Sequence, residues 1–187
     1  MARTYPMLDQ KLTEWIGEQH VYFVATAPIG PGGHVNVSPK GYDSFRVLGP
    51  TTVAYLDLTG SGVETIAHIR QNGRVTIMFC AFEGPPRVLR LYGSGEVIRP
   101  DDPGSDELLR LFPGHGGVRA VIRVNLERIS TTCGYGVPFM EFDEERKTLR
   151  QWSDRKGPEG IRKYHLEENS YSVDGLPGLA GLGIEEA

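Results

Sequence analysis

The most regular alternation of apolar and polar positions lies between Arg74 and Ile98. Apolar residues occupy every second position over 75–81, and this spacing predicts a β-strand. A Gly-Pro-Pro turn follows at 84–86, and an apolar run over 88–92 predicts a second strand. Because both faces of this strand pair are largely apolar, we expect the pair to be central and covered on both sides.

Two glycines interrupt the second of these strands, at Gly93 and Gly95. Glycine inside a strand is typical of a bulge, a bend at a barrel corner, or a close approach by a ligand. Helical spacing precedes the strand pair at 61–71, and again near the start of the chain, where an amphipathic helix is predicted to end at Gly17. The apolar face of that first helix consists of Leu8, Leu12, Trp15 and Ile16.

Shorter apolar runs predict the other strands, separated by turn residues. They lie at 21–27, 34–38, 45–48, 51–58 and 118–132, and the sequence Pro39-Lys40-Gly41 is expected to break the second of them. Short turns and a single helix inserted between strands favour a mainly β fold with flanking helices. We therefore predict a small β-barrel, closed or split.

The residues after this pattern are charged and rich in glycine. Two helices are predicted, at 141–154 and 157–169, and an extended arm is predicted over 172–187. We therefore expect a barrel domain over 1–132 and a helical appendage with its tail over 133–187.

Composition excludes several classes of protein. The 187 residues carry a formal net charge of −4 without a basic run, so we expect no nucleic-acid partner. No apolar run is long enough for a membrane span, and the start of the sequence carries no secretory signal, so a cytoplasmic location is expected. Two cysteines and five histidines without metal-ligand spacing predict free thiols and no metal site.

Four short blocks, taken in order, resemble the pyridoxamine 5'-phosphate oxidase-like family of FMN-binding split barrels. The blocks are VATA at 24–27, NVSPKG at 36–41, IRQNGRV at 69–75 and RLYGSGEV at 90–97. The resemblance covers about residues 8–132. It implies a six-stranded split barrel of the FMN-binding type, a homodimer with FMN at the subunit interface, and a small-molecule substrate.

The same resemblance implies where the cofactor lies. The ring would contact the residues at the end of the second barrel strand, which are Asn36, Val37, Ser38, Pro39 and Lys40. The phosphate would be held where the chain enters the inserted helix, with hydroxyls from Thr59, Ser61 and Thr65. A helix start suits an anion, because its free N–H groups and its dipole attract negative charge.

The chain departs from the family pattern at this helix start. Typical FMN-binding members carry Arg-Lys or Ser-Lys at the positions that correspond to Glu64 and Thr65. We therefore expect weak or conditional binding of FMN. Compensating charge would have to come from other cations, with Arg87 or Arg90 on the strand after the Gly-Pro-Pro turn as candidates beside Lys40; Arg46 and Arg74 are further candidates.

Three functions remain open from the sequence. The first is an FMN-dependent oxidoreductase that passes a hydride between flavin and a small molecule. The second is a non-catalytic flavin- or haem-binding protein, with His115 as a possible haem ligand. The third is a deazaflavin-dependent reductase on the same barrel. No GxGxxG or GxSxG motif indicates a Rossmann nicotinamide site or a serine hydrolase.

Overall fold

A computed structural model describes residues 2–112 and 114–182. Strands and helices follow one another along this part of the chain in the order β1 (Arg3–Tyr5), α1 (Gln10–Gly17), β2 (Tyr22–Thr26), β3 (Asn36–Lys40), β4 (Phe45–Gly49), β5 (Thr52–Leu58), α2 (Glu64–Asn72), β6 (Arg74–Cys80), β7 (Val88–Ile98), α3 (Ser105–Leu109), β8 (Val118–Thr132) and α4 (Thr148–Glu168). The predicted amphipathic helix is α1, and the side chain of Asp9 caps it by accepting a hydrogen bond from the N–H of Leu12.

The strands form one antiparallel sheet in the order β3-β2-β6-β7-β8-β5-β4, and β1 pairs with β8. The two ends of this order, β3 and β4, do not pair with each other in the described part of the chain, so the barrel is split. The fold is therefore mainly β with flanking helices, as predicted. The sheet has eight strands among the described residues, whereas the resemblance implied six. The local patterns predicted seven of the eight and missed the three-residue β1.

The predicted strand pair, β6 and β7, occupies the centre of the sheet. One of its faces is fully buried and includes Ile77, Phe79 and Leu91. The opposite face, which carries Thr76 and Met78, is only half-buried. The expectation that both faces are covered was therefore wrong for the chain by itself.

Both interrupting glycines in β7 are explained by close contacts. The register between β7 and β8 shifts at Gly93, and a side chain there would collide with the backbone of Asn125. At Gly95, a Cβ atom would stand 2.9 Å from Cδ1 of Ile69 in α2. Gly93 therefore belongs to a bulge, and Gly95 lets α2 approach the sheet.

Two boundaries near the predicted cofactor site differ from the prediction. Strand β3 continues through Pro39 and Lys40, although a break was expected there. The strand tolerates a proline because β3 is an edge strand and needs N–H groups on one side only. Helix α2 begins at Glu64 rather than at Ser61, with Val63 as an N-cap that makes no side-chain hydrogen bond.

The C-terminal part also corrects the prediction. The expected helix over 141–154 begins only at Thr148, because residues 141–148 are all exposed. Within this stretch the Phe142 ring stacks on the His20 ring without helical structure. Helix α4 is broken at Gly157, whose φ of 64° is left-handed, so it consists of two helical segments.

The tail folds back on the barrel instead of forming the predicted extended arm. Tyr171 pairs with Pro177 in an isolated bridge, and Leu179 is 3% exposed within the main core. The end of the predicted arm, residues 183–187, lies outside the described residues. Among the residues that are described, no helix is both long and apolar enough to cross a membrane.

Candidate functional site

A chain of hydrogen bonds joins β3 to the first turn of α2. The Asn36 amide nitrogen donates to Oγ1 of Thr65 at 3.0 Å and to Oγ1 of Thr26 at 3.3 Å. The Ser38 hydroxyl donates to the Asn36 amide oxygen at 3.1 Å. Three of the predicted cofactor residues, Asn36, Ser38 and Thr65, are therefore brought together by the fold.

His68 extends this network into the interior. Its Nδ1 atom lies 2.9 Å from Oγ1 of Thr26, and the residue is 0% exposed. Burial lowers the pKa of His68, although Asp174 and Glu64 favour its charged form. The Nε2 atom of His68 is buried and has no hydrogen-bond partner among the described residues. Sequence reasoning placed neither Thr26 nor His68 in the site.

The predicted ring contacts lie on two faces of β3. Side chains alternate along a strand, so Asn36, Ser38 and Lys40 share one face, whereas Val37 and Pro39 point to the other. The first set is half-buried, and the second set is exposed. Side chains of both sets therefore cannot line the same ligand surface within one chain.

The loop between β5 and α2 has its carbonyl groups fixed by two buried side chains. Nη1 of Arg119 donates to the carbonyl of Gly62 at 2.8 Å and to that of Gly60 at 3.4 Å. The Asn169 amide nitrogen donates to the carbonyls of Gly60 at 2.9 Å and Ser61 at 3.4 Å. Arg119 is 5% exposed, and Asn169 is 0% exposed.

The fixed carbonyl groups determine the direction of the N–H groups. In a trans peptide the C=O of one residue and the N–H of the next point in opposite directions, and every described peptide is trans. The N–H groups of Ser61, Gly62 and Val63 therefore point away from Arg119 and Asn169. Successive N–H groups directed to one side at a helix start form a site for an anion.

A buried carboxylate connects this loop to β3. Oδ2 of Asp57 accepts a hydrogen bond from Nε of Arg119 at 2.8 Å, and Oδ1 accepts one from Nζ of Lys40 at 3.0 Å. Burial by itself would raise the pKa of Asp57, but Arg119 and Lys40 hold it at about 2. The carboxylate is therefore ionised at neutral pH, and the three groups together carry one net positive charge.

Thr59, a predicted phosphate ligand, has its hydroxyl engaged in hydrogen bonds within the protein. Its hydroxyl is 2.7 Å from the carbonyl of Gly117 and 2.7 Å from Nε2 of His165 in α4. Burial lowers the pKa of His165 to about 4, and the nearby Arg119 acts in the same direction. Thr59 therefore joins the loop to α4.

Glu64 contacts the C-terminal segment. Its Oε1 atom accepts a hydrogen bond from the N–H of Val173 at 3.2 Å, and Oε2 lies where a side chain on Gly62 would stand. Asp174, which follows Val173, binds His34 through its carboxylate, with 2.6 Å between Oδ1 of Asp174 and Nδ1 of His34. The segment is also held by Nη1 of Arg70, which donates to the carbonyls of Gly178 and Ala180.

The other arginines considered from the sequence have partners away from α2. The guanidinium of Arg87 lies 5.1 Å from the centre of the Trp15 ring, and Arg90 donates to the Thr132 hydroxyl at 3.2 Å. Arg46 pairs with Asp43, and Arg74 donates to the Asn72 side chain and the Pro28 carbonyl. The structure brings none of these four guanidinium groups into contact with the described residues of the 59–65 loop.

Arg119 is the cation that sequence reasoning missed. It stands between β-branched and apolar residues in the strand Val118–Thr132, and a charge in such a buried run is a signal in itself. Asp57 gives the same signal inside the apolar strand Thr52–Leu58. Asn169 and His165 gave no local signal, because more than 100 residues separate them from the loop that they contact.

Comparison with known proteins agrees with this fold. The family model for pyridoxamine 5'-phosphate oxidase matches residues 8–133. A pyridoxamine 5'-phosphate oxidase family protein of Aspergillus flavus, ustO, is 38% identical over 194 residues, covering 94% of this chain and 77% of that protein.

Solved structures share this fold. A variant of HupZ from Group A Streptococcus is 26% identical, with a TM-score of 0.55, and the match covers 67% of this chain and 100% of that one. A second HupZ structure, at 27% identity and a TM-score of 0.53, covers 66% of this chain and 92% of that one. The family match at 8–133 includes β3, the 59–65 loop and α2. The chain therefore belongs to the pyridoxamine 5'-phosphate oxidase family.

Proposed function

We propose that this protein is a flavin-dependent oxidoreductase that binds FMN, with the phosphate at the start of α2 and the ring against β3. The observation that carries this proposal is the orientation of the Ser61, Gly62 and Val63 N–H groups, which follows from the fixed carbonyls of the same loop. These N–H groups supply the hydrogen bonds that a phosphate at a helix start requires.

Charge near the loop supports the same proposal. Glu64 and Thr65 stand where the resemblance implies Arg-Lys or Ser-Lys, so positive charge for the phosphate must come from other residues. The Asp57 carboxylate binds both Lys40 and Arg119, and this group of three retains one positive charge. A buried charge of this kind is screened less by salt than a surface lysine would be.

The hydroxyl groups complete the polar lining. Thr65 accepts a hydrogen bond from Asn36, so its own hydrogen remains available for a phosphate oxygen. Ser61 is exposed at the loop, and Ser38 is half-buried on β3. We assign the phosphate to Ser61 and Thr65, and the ring to the face of β3 that carries Asn36, Ser38 and Lys40.

A second copy of the chain would cover the other face of β3, which carries Val37. Val35 is 71% exposed and Val37 is 60% exposed, and Phe23, Ala25 and Met78 on the neighbouring strands are only half-buried. Adjoining apolar residues of this kind are typical of an interface. We infer a homodimer in which this face is covered by the partner subunit, with two equivalent sites.

Bound FMN supplies hydride transfer at its ring, which the side chains of this site do not provide by themselves. This chain's part is to bind and orient. The loop N–H groups would hold the phosphate end, and Ser38 and Asn36 would present polar atoms to the ring. The electron donor and a small-molecule acceptor complete the reaction.

The absorbance spectrum of the purified protein tests the proposal. When FMN is titrated into the protein, the two bands of the oxidised flavin should change until the site is saturated, and a reductant should bleach them. A single deazaflavin band or a Soret band in protein purified without additions would instead support the deazaflavin or haem alternative. A titration in which saturating FMN shows no change on addition of the protein would overturn the proposal.

Light scattering tests the homodimer separately. A dimer at micromolar concentration is the expected result. Val37→Asp would place a charge in the inferred interface, and the matched variant Val35→Thr should leave the dimer intact. A wild-type protein that remains monomeric would contradict the inferred interface.

A further inference from the structure

A cleft of about 700 Å³ separates α4 from one end of the barrel. Its walls come from the residues after β7, the start of β8, both segments of α4, and Leu179 in the C-terminal segment. We call it the α4 cleft. Among the described residues that line it, none was assigned above to the flavin ring or to the flavin phosphate. Its volume is in the range that suits a small organic ligand.

The buried part of the α4 cleft contains a hydroxyl without a partner. Ser153 is 5% exposed, and its Oγ atom makes no hydrogen bond with any described residue. Oγ lies close to the backbone of Gly117, because a Cβ atom at Gly117 would stand 2.6 Å from it. Buried polar atoms are normally hydrogen-bonded. The Ser153 hydroxyl is therefore a donor for a molecule that enters the cleft.

Arg119 lines the same part of the cleft and has one donor group left over. Its Nε donates to Asp57, and its Nη1 donates to the carbonyls of Gly60 and Gly62. Its Nη2 makes no hydrogen bond within the described part of the chain. Asp57 also binds Lys40, so these three charged side chains retain one positive charge.

The break in α4 adds the start of a helix to this wall. The second segment begins directly after Gly157, and two residues of its first turn, Pro158 and Ile161, line the cleft. Proline suits the first position of a helix, because the N–H that it lacks would have no partner there. The positive end of the helix dipole therefore faces the cleft wall and favours a negative charge.

The buried lining of the cleft holds no carboxylate. The buried residues that line it are Arg119, Ser153, Ile161, His165 and Leu179. The two aspartates of the lining, Asp101 and Asp154, are both exposed and so lie toward solvent. Burial lowers the pKa of His165 to about 4, so its ring is neutral at neutral pH. The buried part therefore combines one cation and one hydroxyl with an apolar surface.

We propose that the α4 cleft is a second binding site, which binds a small carboxylate that has an apolar body. The carboxylate accepts hydrogen bonds from Oγ of Ser153 and Nη2 of Arg119, and the apolar body packs on Ile161 and Leu179. One positive charge and two donors match the two oxygens of a carboxylate, whereas a phosphate dianion requires more of both. This site does not depend on the proposed function, because none of these contacts involves a flavin.

An NMR titration of the full chain without flavin tests the proposal. The probes are hydrocinnamate and hexanoate, and the corresponding amides are neutral controls of similar shape. Both carboxylates should shift the amide signals of Gly117 and Ile161, and each should bind at least about tenfold more tightly than its amide. No shift at these residues with either carboxylate at millimolar concentration would overturn the proposal, and so would equal binding of each acid and its amide.

Ser153→Ala separates binding from folding. Its hydroxyl has no partner among the described residues, so the substitution should not lower the free energy of unfolding. It should nevertheless weaken the binding of hydrocinnamate severalfold, because one of the two donors is lost. Ser170→Ala is the matched control, since the Ser170 hydroxyl donates to the Leu166 carbonyl outside the cleft, and its affinity should equal that of the wild type.

A second variant keeps the test decisive if Ser153→Ala does not fold. Gly116 lies in the cleft wall, and a Cβ atom there would stand 3.9 Å from Cβ of Ser153, which is an ordinary contact. Gly116→Leu should therefore occupy part of the cleft and abolish the binding of hydrocinnamate. Wild-type affinity in both Ser153→Ala and Gly116→Leu would contradict the proposal.

Discussion

The N–H of Val173 donates a hydrogen bond to Oε1 of Glu64 at 3.2 Å, and so the C-terminal segment is attached to the first turn of the helix that is expected to bind phosphate. This contact gives a structural reason for the departure from the family pattern. The carboxylate replaces a cation at the helix start, and it holds residues that follow α4. An acidic side chain in the first turn also suits the helix dipole.

Removing the charge of Glu64 should strengthen FMN binding. Glu64→Gln keeps an oxygen for the Val173 N–H and removes repulsion of the phosphate, so we expect the dissociation constant to fall by about two- to tenfold at low salt. Fluorescence titration at two salt concentrations measures it, and the gain should shrink at high salt. Glu168→Gln, on the exposed end of α4, is the matched control. An unchanged affinity in Glu64→Gln would mean that the phosphate lies elsewhere.

Asp57 should be essential to stability. Asp57→Asn leaves Arg119 without its charge partner in a buried position, and breaking such a pair costs about 3–5 kcal/mol of the free energy of unfolding. Lys40→Met removes the second cation bound to Asp57, and the Lys40 side chain is 19% exposed. The loss in the free energy of unfolding should therefore be smaller. Urea unfolding of both variants measures the two values. A loss for Asp57→Asn no larger than that for Lys40→Met would show that Arg119 does not depend on this carboxylate.

The free energy of unfolding should fall as the pH is lowered, and His165 is one cause. In the unfolded chain this histidine takes up a proton near its ordinary pKa of 6.5, but in the folded protein only at about 4. The unfolded state therefore binds more protons between these values, and the free energy of unfolding falls as pH falls through them, by about 3 kcal/mol for this group.

Comparison of the wild type with His165→Gln isolates this effect from other titrating groups. Glutamine can still donate to the Thr59 hydroxyl but does not titrate. Urea unfolding between pH 7 and pH 4 should therefore show a shallower loss in the variant. Parallel pH profiles for the two proteins would contradict the assignment to His165.

The exposed Ser61 offers a direct test of the phosphate position. Ser61→Asp should weaken FMN binding about tenfold or more, because it places a second negative charge beside the proposed site. Ser61→Asn is the neutral control of similar size and should stay close to the wild type. Titration with FMN that gives the same affinity for the two variants would contradict this position.

Local patterns predicted the framework of the fold. The alternation over 75–81 marked a central strand, and the helical spacing of Leu8, Leu12 and Ile16 marked α1. These local patterns predict the elements correctly because each pattern depends only on how a single strand or helix packs against the core. The strand break predicted at Pro39 was wrong, because a proline ends a central strand but is tolerated in an edge strand. The residues of β3 do not by themselves show that this strand lies at the edge of the sheet.

The candidate site was predictable only in part. The NVSPKG block identified Asn36 and Ser38, the predicted phosphate loop identified Thr65, and the fold brings these three residues together. The side chains that fix the carbonyls of the 60–62 loop, Arg119 and Asn169, come from distant parts of the chain. Such contacts depend on tertiary packing, so no spacing in the sequence encodes them.

The most direct test of the central claim compares FMN with riboflavin, which has the same ring but no phosphate. If the N–H groups of Ser61, Gly62 and Val63 hold the phosphate, wild-type protein should bind FMN at least about tenfold more tightly than riboflavin, and high salt should reduce the difference. Isothermal titration with both ligands measures it. Equal affinity for the two, or no binding of either, would contradict the account.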